Sequence, residues 1–430
     1  DRTKEIIDSK VRKLEMEIRS LENKIVAGIK VSKQAGITFL LFMVYPLLSL
    51  PLILKGMLDN KKWGFFFFAC FMGMIGMLYP PTGDFYRYTE EYIYIKDFNW
   101  EQFKDFILIK QECLLPSISY LFSRLNVPFD YSRFIYNFIA YYLLGLIYID
   151  EINKNVHYIK RNSIYFLGMF ISFSLSLYLF RFFFSMILYA YGTYNIVYKR
   201  KKQGWIFVIL SILNHFSFIV FLVILILTKL LHFKFRKWIV VLMCILAFTI
   251  SSDLLINLFT FMPADIVNRY SIYLDGYYAG TYLEDHSLRY RILMALSSAI
   301  TYAAAIIYII TYDKKSIKNG SIVNGVLLVT TLSSPFSAIA YRFATVLLLF
   351  IKIQFLNAFN GTRKQCKYLL ILFLLTMLSN IMGLWSSRRE ISISDLSLIC
   401  YASTPQILMH TYSEQWINKN VYENGDFNHD

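Results

Sequence analysis

From Gly36 to Trp385 the chain is built of long apolar blocks, with polar residues confined to the gaps between them. Segments such as Phe65–Phe68 and Ile219–Leu227 are apolar on every face. That separates them from the one-sided helices of a soluble bundle and from the alternating strands of a membrane barrel. A helix needs about 20 apolar residues to cross the hydrocarbon core of a bilayer. By that measure the pattern predicts membrane helices over 36–58, 63–79, 133–150, 162–180, 182–198, 204–228, 237–259, 289–312, 321–335, 338–358 and 367–385. The predicted class is an all-α polytopic integral membrane protein with about 11–12 transmembrane helices. The stretch 113–124 is apolar but shorter, and reads as re-entrant or interfacial. Long connections fall at 80–132 and 260–288, with a tail over 386–430.

Residues 1–29 follow another rhythm. Ile7, Val11, Leu14, Ile18, Leu21 and Ile25 alternate at spacings of four and three, as in coiled-coil heptads. This segment reads as a helical tail, native or appended, or as a self-association module, outside the membrane domain of 36–385.

Composition supports the membrane reading: 57% of residues are hydrophobic and only 17% charged. The net charge of +15 would suit a nucleic-acid partner, but its distribution does not. Basic residues cluster in the gaps, at Lys61–Lys62, Lys160–Arg161, Lys199–Lys202, Lys234–Lys237, Lys314–Lys318 and Arg363–Lys367. That is the signature of cytoplasmic loops, and it excludes a groove-sized basic patch. With these clusters inside, 80–132, Arg181, 260–288, the turn near Pro335 and the tail all face outward. The same count leaves the charged N-terminal segment outside, which the pattern does not explain. The block 204–228 is basic at both flanks yet long enough for one crossing only. It is therefore expected to be a broken pair of short helices with Asn214–His215 at the tip. The five cysteines show no CxxC or CxxH spacing, so neither a disulfide framework nor a zinc site is expected.

Ionisable residues inside apolar blocks are costly and mark candidate chemistry. Arg181 is the only charged residue between Asn162 and Tyr198. It reads either as a snorkelling side chain or as an anion ligand. His215 is the only ionisable residue between Lys202 and Lys229, and Arg342 opens another apolar block. Each has a packing reading beside the functional one. No second histidine lies at i+3 or i+4 from His215, so a helix-borne metal pair is not expected. The outward loops carry Asp84, Tyr86, Arg87 and Tyr88, and later Arg269, Tyr270 and Tyr273. Guanidinium forks match phosphate oxygens, and tyrosine offers a ring face and a hydroxyl to sugars. An interfacial aromatic belt is the alternative.

In order, these elements resemble the EpsG/Wzy-type polysaccharide polymerases. Gly83–Asp84–Phe85–Tyr86–Arg87–Tyr88 is similar to that family's G-x-D-x-x-x-Y element. Arg181 with its following helix is similar to R-x-x-x-A, although Ser185 stands where the family carries alanine. Asn214–His215–Phe216–Ser217 resembles H-x-S, Asn268–Arg269–Tyr270 through Tyr273 resembles R/K-Y-x-x-Y, and Tyr341–Arg342–Phe343 resembles the late arginine helix.

The resemblance implies a GT-C-like glycosyltransferase acting at the periplasmic face of the bacterial inner membrane. Its substrate would be an undecaprenyl-diphosphate-linked oligosaccharide, with no cofactor or metal. A growing O-antigen or capsule chain would pass to the non-reducing end of an incoming repeat unit. The partners implied are the lipid bilayer and a chain-length-regulating co-polymerase, with no nucleic acid. Expected diphosphate ligands are Arg181, Arg269, Arg342 and, as a fourth, Arg87. Tyr86, Tyr88, Tyr270 and Tyr273 are the expected glycan contacts, and His215 and Asp84 the base candidates. A carboxylate beside arginines is a poor base, which favours His215. An O-antigen ligase and a flippase or transporter of lipid-linked glycans are the competing functions.

Overall fold

The computed structural model describes residues 33–110, 112–154, 160–231, 237–247, 249, 288–311 and 317–422. The heptad segment and the 260–288 connection, with the exception of Leu288, lie outside these residues. Among them the protein is helical and contains no strand. Among the described residues, three helices are both long and apolar enough to cross a membrane alone. They are α7 (Tyr131–Lys154), the Ala338–Asn357 part of α16 (Ser337–Asn357), and α17 (Arg363–Ser386). Several expected spans are instead shorter apolar helices or broken ones.

The expected helix 36–58 is two helices, α1 (Lys33–Val44) and α2 (Pro46–Leu58). Pro46 at the start of α2 has no N–H to give and crowds the preceding turn, so the ladder stops there. The next helix, α3 (Lys62–Leu78), follows expectation. The connection 80–132 is not irregular. It folds into α4 (Asp84–Lys96), α5 (Trp100–Ile109) and α6 (Leu114–Arg124). Gly83, at φ +58°, makes the turn that launches α4. Asn99 and Gln102 close a reciprocal capping box on α5.

The expected helix 162–180 is also two: α8 (Ser163–Phe170) and α9 (Phe173–Tyr178). No proline marks this break, and its cause is tertiary. Lys352 Nζ donates to Met169 O at 2.7 Å, Asn380 Nδ2 to Ile171 O at 2.7 Å, and the Tyr141 hydroxyl to Ser172 O at 3.2 Å. Broken backbone at membrane depth survives where neighbours satisfy its freed carbonyls in this way.

After α10 (Phe180–Val197), the block 204–228 is the expected broken pair, α11 (Gly204–Asn214) and α12 (Phe218–Leu231). The chain reverses between them, because Lys229 Nζ sits 5.4 Å from the Trp205 ring centroid. In one straight helix those residues would be about 36 Å apart. At roughly 16 and 21 Å, neither arm spans a core of about 30 Å. The pair enters and leaves at one end. Gly192 and Gly204 let α10 and α11 touch backbone to backbone. A Cβ on Gly192 would lie 2.6 Å from Gly204 O.

The remaining described helices are α13 (Lys237–Leu246), α14 (Leu288–Thr311) and α15 (Ile317–Leu332), then the tail helices α18 (Arg388–Ile393), α19 (Thr404–Leu408) and α20 (Glu414–Asn420). Helix α17 presents Leu374, Leu378, Ile381 and Trp385 outward, as a lipid-facing helix does.

Charge sorts to the two ends. At one end Glu151, fully buried, accepts from Lys154, Tyr194 and Asn357, while Lys199 pairs with Asp150. The other end carries α4–α6, and the tail closes over it. Tyr412 donates to Leu78 O and Tyr131 to Leu408 O, both at 2.5 Å. Arg133 anchors this end. It is fully buried, 3.7 Å from the Phe85 ring centroid, paired with Asp130 at 3.2 Å, and donates to Pro80 O at 3.1 Å.

Candidate functional site

Arg181 stands at the N-terminal end of α10 because Leu179 interrupts the helical run between α9 and α10. Its guanidinium does not snorkel to solvent. The side chain is only 17% exposed, and the Tyr88 ring of α4 lies 4.6 Å from its centre. Nη1 donates to Glu112 Oε2 at 2.6 Å, while the buried Nε has no partner among the described residues.

The tip of the broken pair faces this arginine. Asn214 Nδ2 donates to Arg181 O at 3.0 Å and to Ser185 Oγ at 2.8 Å; its Oδ1 accepts from the Tyr136 hydroxyl at 2.7 Å. Ser185, where the family pattern carries alanine, thus has a structural use. His215 follows immediately, with Nδ1 2.9 Å from Ser217 Oγ. Its ring meets Phe182 edge to face at 5.6 Å. Phe216 N–H donates to Glu112 Oε1 at 2.9 Å. Glu112 therefore bridges α10 and the re-entrant tip, one oxygen to each.

Arg342 lies in the second turn of α16 and comes close to the same Phe182 ring. Its guanidinium carbon is 6.0 Å from the Phe182 ring centroid, and the same ring meets His215. Among the described residues no carboxylate forms an ion pair with Arg342. The charges of Arg181 and Arg342 both act on Tyr88 and on His215. Burial raises the Tyr88 hydroxyl above the ordinary phenol range, more than Arg181 lowers it. It stays protonated, a hydrogen-bond donor rather than a base.

Asp84 and Arg87 are placed differently. They pair with each other at 2.6 Å, one turn apart on α4, and Arg87 is 61% exposed. Asp84 is committed to that guanidinium, while its charge still reaches Arg181. Tyr86 lies half-buried on the same helix. Arg269, Tyr270 and Tyr273 fall outside the described residues. Of the expected site residues, the fold thus gathers Arg181, His215, Arg342 and Tyr88, with Asp84 at the edge.

The residue that sequence reading passed over is Glu112. A signal existed: it is the carboxylate immediately before the short apolar stretch 113–124, at the edge of a block where a charge needs a partner. Nothing in the local pattern said that the partner was Arg181, 69 residues away.

The family model described as EpsG family matches residues 61–393, well over half of the chain. The matched stretch holds every side chain of this site. No curated protein and no solved structure matches the chain.

Proposed function

We infer, from the premise that this chain belongs to the EpsG family, that it is a membrane glycosyltransferase polymerising lipid-linked repeat units. Family membership gives the coarse function, a polysaccharide-polymerase-type activity of a membrane protein. The finer reading is ours: a glycan is transferred from undecaprenyl diphosphate to a hydroxyl of an incoming lipid-linked oligosaccharide, outside the cytoplasmic membrane.

The observation that carries it is the meeting of two arginines and a histidine at the end of the helices that carries α4–α6. In the transfer, the acceptor oxygen bonds to the anomeric carbon while the bond from that carbon to the diphosphate breaks. Charge builds on the departing diphosphate, and its stabilisation is assigned to Arg181 and Arg342. Arg269 is proposed as a third ligand. The acceptor proton must leave, and His215 takes it at Nε2, with Ser217 holding Nδ1 and fixing the ring. Asp84, bound to Arg87, is given an orienting role at the glycan side with Tyr86 and Tyr88. Tyr270 and Tyr273 are assigned to the same side.

Purified protein given its lipid-linked repeat unit, without nucleotide-sugar, tests this reading. A ladder of glycan lengths that Arg181→Ala abolishes supports it. A finished glycan moved intact to another lipid would make the chain a ligase instead.

A further inference from the structure

The carboxylate of Glu112 sits where an anion would be bound. Oε2 takes the charge-assisted bond from Arg181 Nη1 at 2.6 Å, and Oε1 takes the Phe216 N–H at 2.9 Å. His215 Nδ1 lies 3.7 Å from the same Oε1. The Phe216 N–H precedes the first turn of α12, a 14-residue helix, and has no partner within that helix. Such donors at a helix N-terminus bind anions readily. An N–H, a guanidinium and a histidine thus converge on one carboxylate group, and Arg342, which forms no ion pair among the described residues, lies 6.0 Å from the nearby Phe182 ring.

We propose that Glu112 fills the diphosphate slot of the resting protein, and that a diphosphate oxygen of the lipid-linked substrate replaces its carboxylate on Arg181 and the Phe216 N–H. This rests on the reading of Arg181 as a diphosphate ligand. Three features favour exchange over simultaneous binding. Like charges held side by side repel, so an anionic diphosphate cannot share these donors with an ionised Glu112. Among the described residues the buried Nε of Arg181 has no partner, so the guanidinium retains a donor for a second oxygen once the slot changes hands. Glu112 is 28% exposed and stands at the connection between α5 and α6, so its carboxylate has solvent to leave into. Until substrate arrives, the carboxylate neutralises Arg181 and holds the re-entrant tip at its working position. The slot also selects for anions with two acceptor oxygens about one carboxylate apart, as a diphosphate has.

Farnesyl diphosphate, titrated calorimetrically into the full chain in lipid nanodiscs, is the test. Glu112→Gln keeps the shape and removes the competing charge; it is expected to bind the probe about tenfold more tightly than wild type. Glu112→Asp keeps the charge but shortens its reach by one methylene, with a gain of about threefold expected. It serves as the second variant should Glu112→Gln fail to fold. Unchanged or weaker binding in the folded variants, with Arg181→Ala still abolishing it, would overturn the exchange and make Glu112 a simple structural partner. Binding that survives Arg181→Ala would instead remove the diphosphate assignment itself, whatever Glu112 does.

Discussion

Asn214 holds Arg181 by its main chain: the Asn214 amide donates to the arginine's own carbonyl oxygen at 3.0 Å. The tip that carries His215 is thereby fixed to the start of α10. The same side chain accepts from Tyr136 and donates to Ser185, so it satisfies three partners at once. Asn214→Leu would leave the buried Tyr136 hydroxyl without its acceptor, at about 1–3 kcal/mol. We expect a lower unfolding temperature in detergent and slower polymerisation together. An unchanged melting profile would mean the tip is held by other means.

His215 and the arginines should fail differently. Proton transfer by a positioned base contributes typically 10²–10⁴-fold, so His215→Gln is expected to cut turnover by that order. Prenyl-diphosphate binding should survive it. Arg342→Ala should lower turnover by about 10²–10³ and weaken binding as well. Calorimetry beside a rate assay separates the two, and equal effects on binding would contradict the division of roles.

Tyr88 supports Arg181 through its ring, 4.6 Å from the guanidinium carbon. Tyr88→Phe keeps that contact, worth about 0.5–2 kcal/mol, and Tyr88→Leu loses it. If the ring is what matters, diphosphate binding falls only in Tyr88→Leu. A loss of polymer yield in Tyr88→Phe with binding intact would instead point to the hydroxyl on the glycan.

Arg133 carries no predicted chemistry and should be a stability residue. Removing one partner of a buried ion pair costs about 3–5 kcal/mol. Arg133→Met also frees the Pro80 carbonyl that it holds at the turn before α4. We expect a folding defect larger than that of Arg87→Met, whose guanidinium is exposed. Comparable unfolding temperatures for the two would refute this ranking.

The reversal between α11 and α12 has a topological consequence. Single cysteines at Lys201 and Lys229 should be labelled by a membrane-impermeant maleimide from the same side of oriented vesicles. Labelling from opposite sides would mean a single crossing, with every later helix inverted.

The membrane class was readable in the sequence because apolar length and sparse charge are properties of composition and order, which no neighbour alters. The break at Asn214–His215 was readable too. Basic flanks on both sides of a block too short for two full crossings admit few solutions, and a re-entrant pair is one of them. Arg181, His215 and Arg342 were legible as costly charges in apolar blocks, since burying an ionisable group needs a reason wherever it lies. The break between α8 and α9 was not legible. It depends on Lys352, Asn380 and Tyr141 arriving from other helices to satisfy carbonyls that no local residue could. The pairing of Asp84 with Arg87 depended on the turn of α4, inside what had read as a loop. Glu112 shows the limit most clearly. A carboxylate at the edge of an apolar block announces that it needs a partner, but only the packing of α6 against the re-entrant tip decides that the partner is Arg181. Cost is written along the chain, whereas the compensation for it is a matter of which surfaces meet.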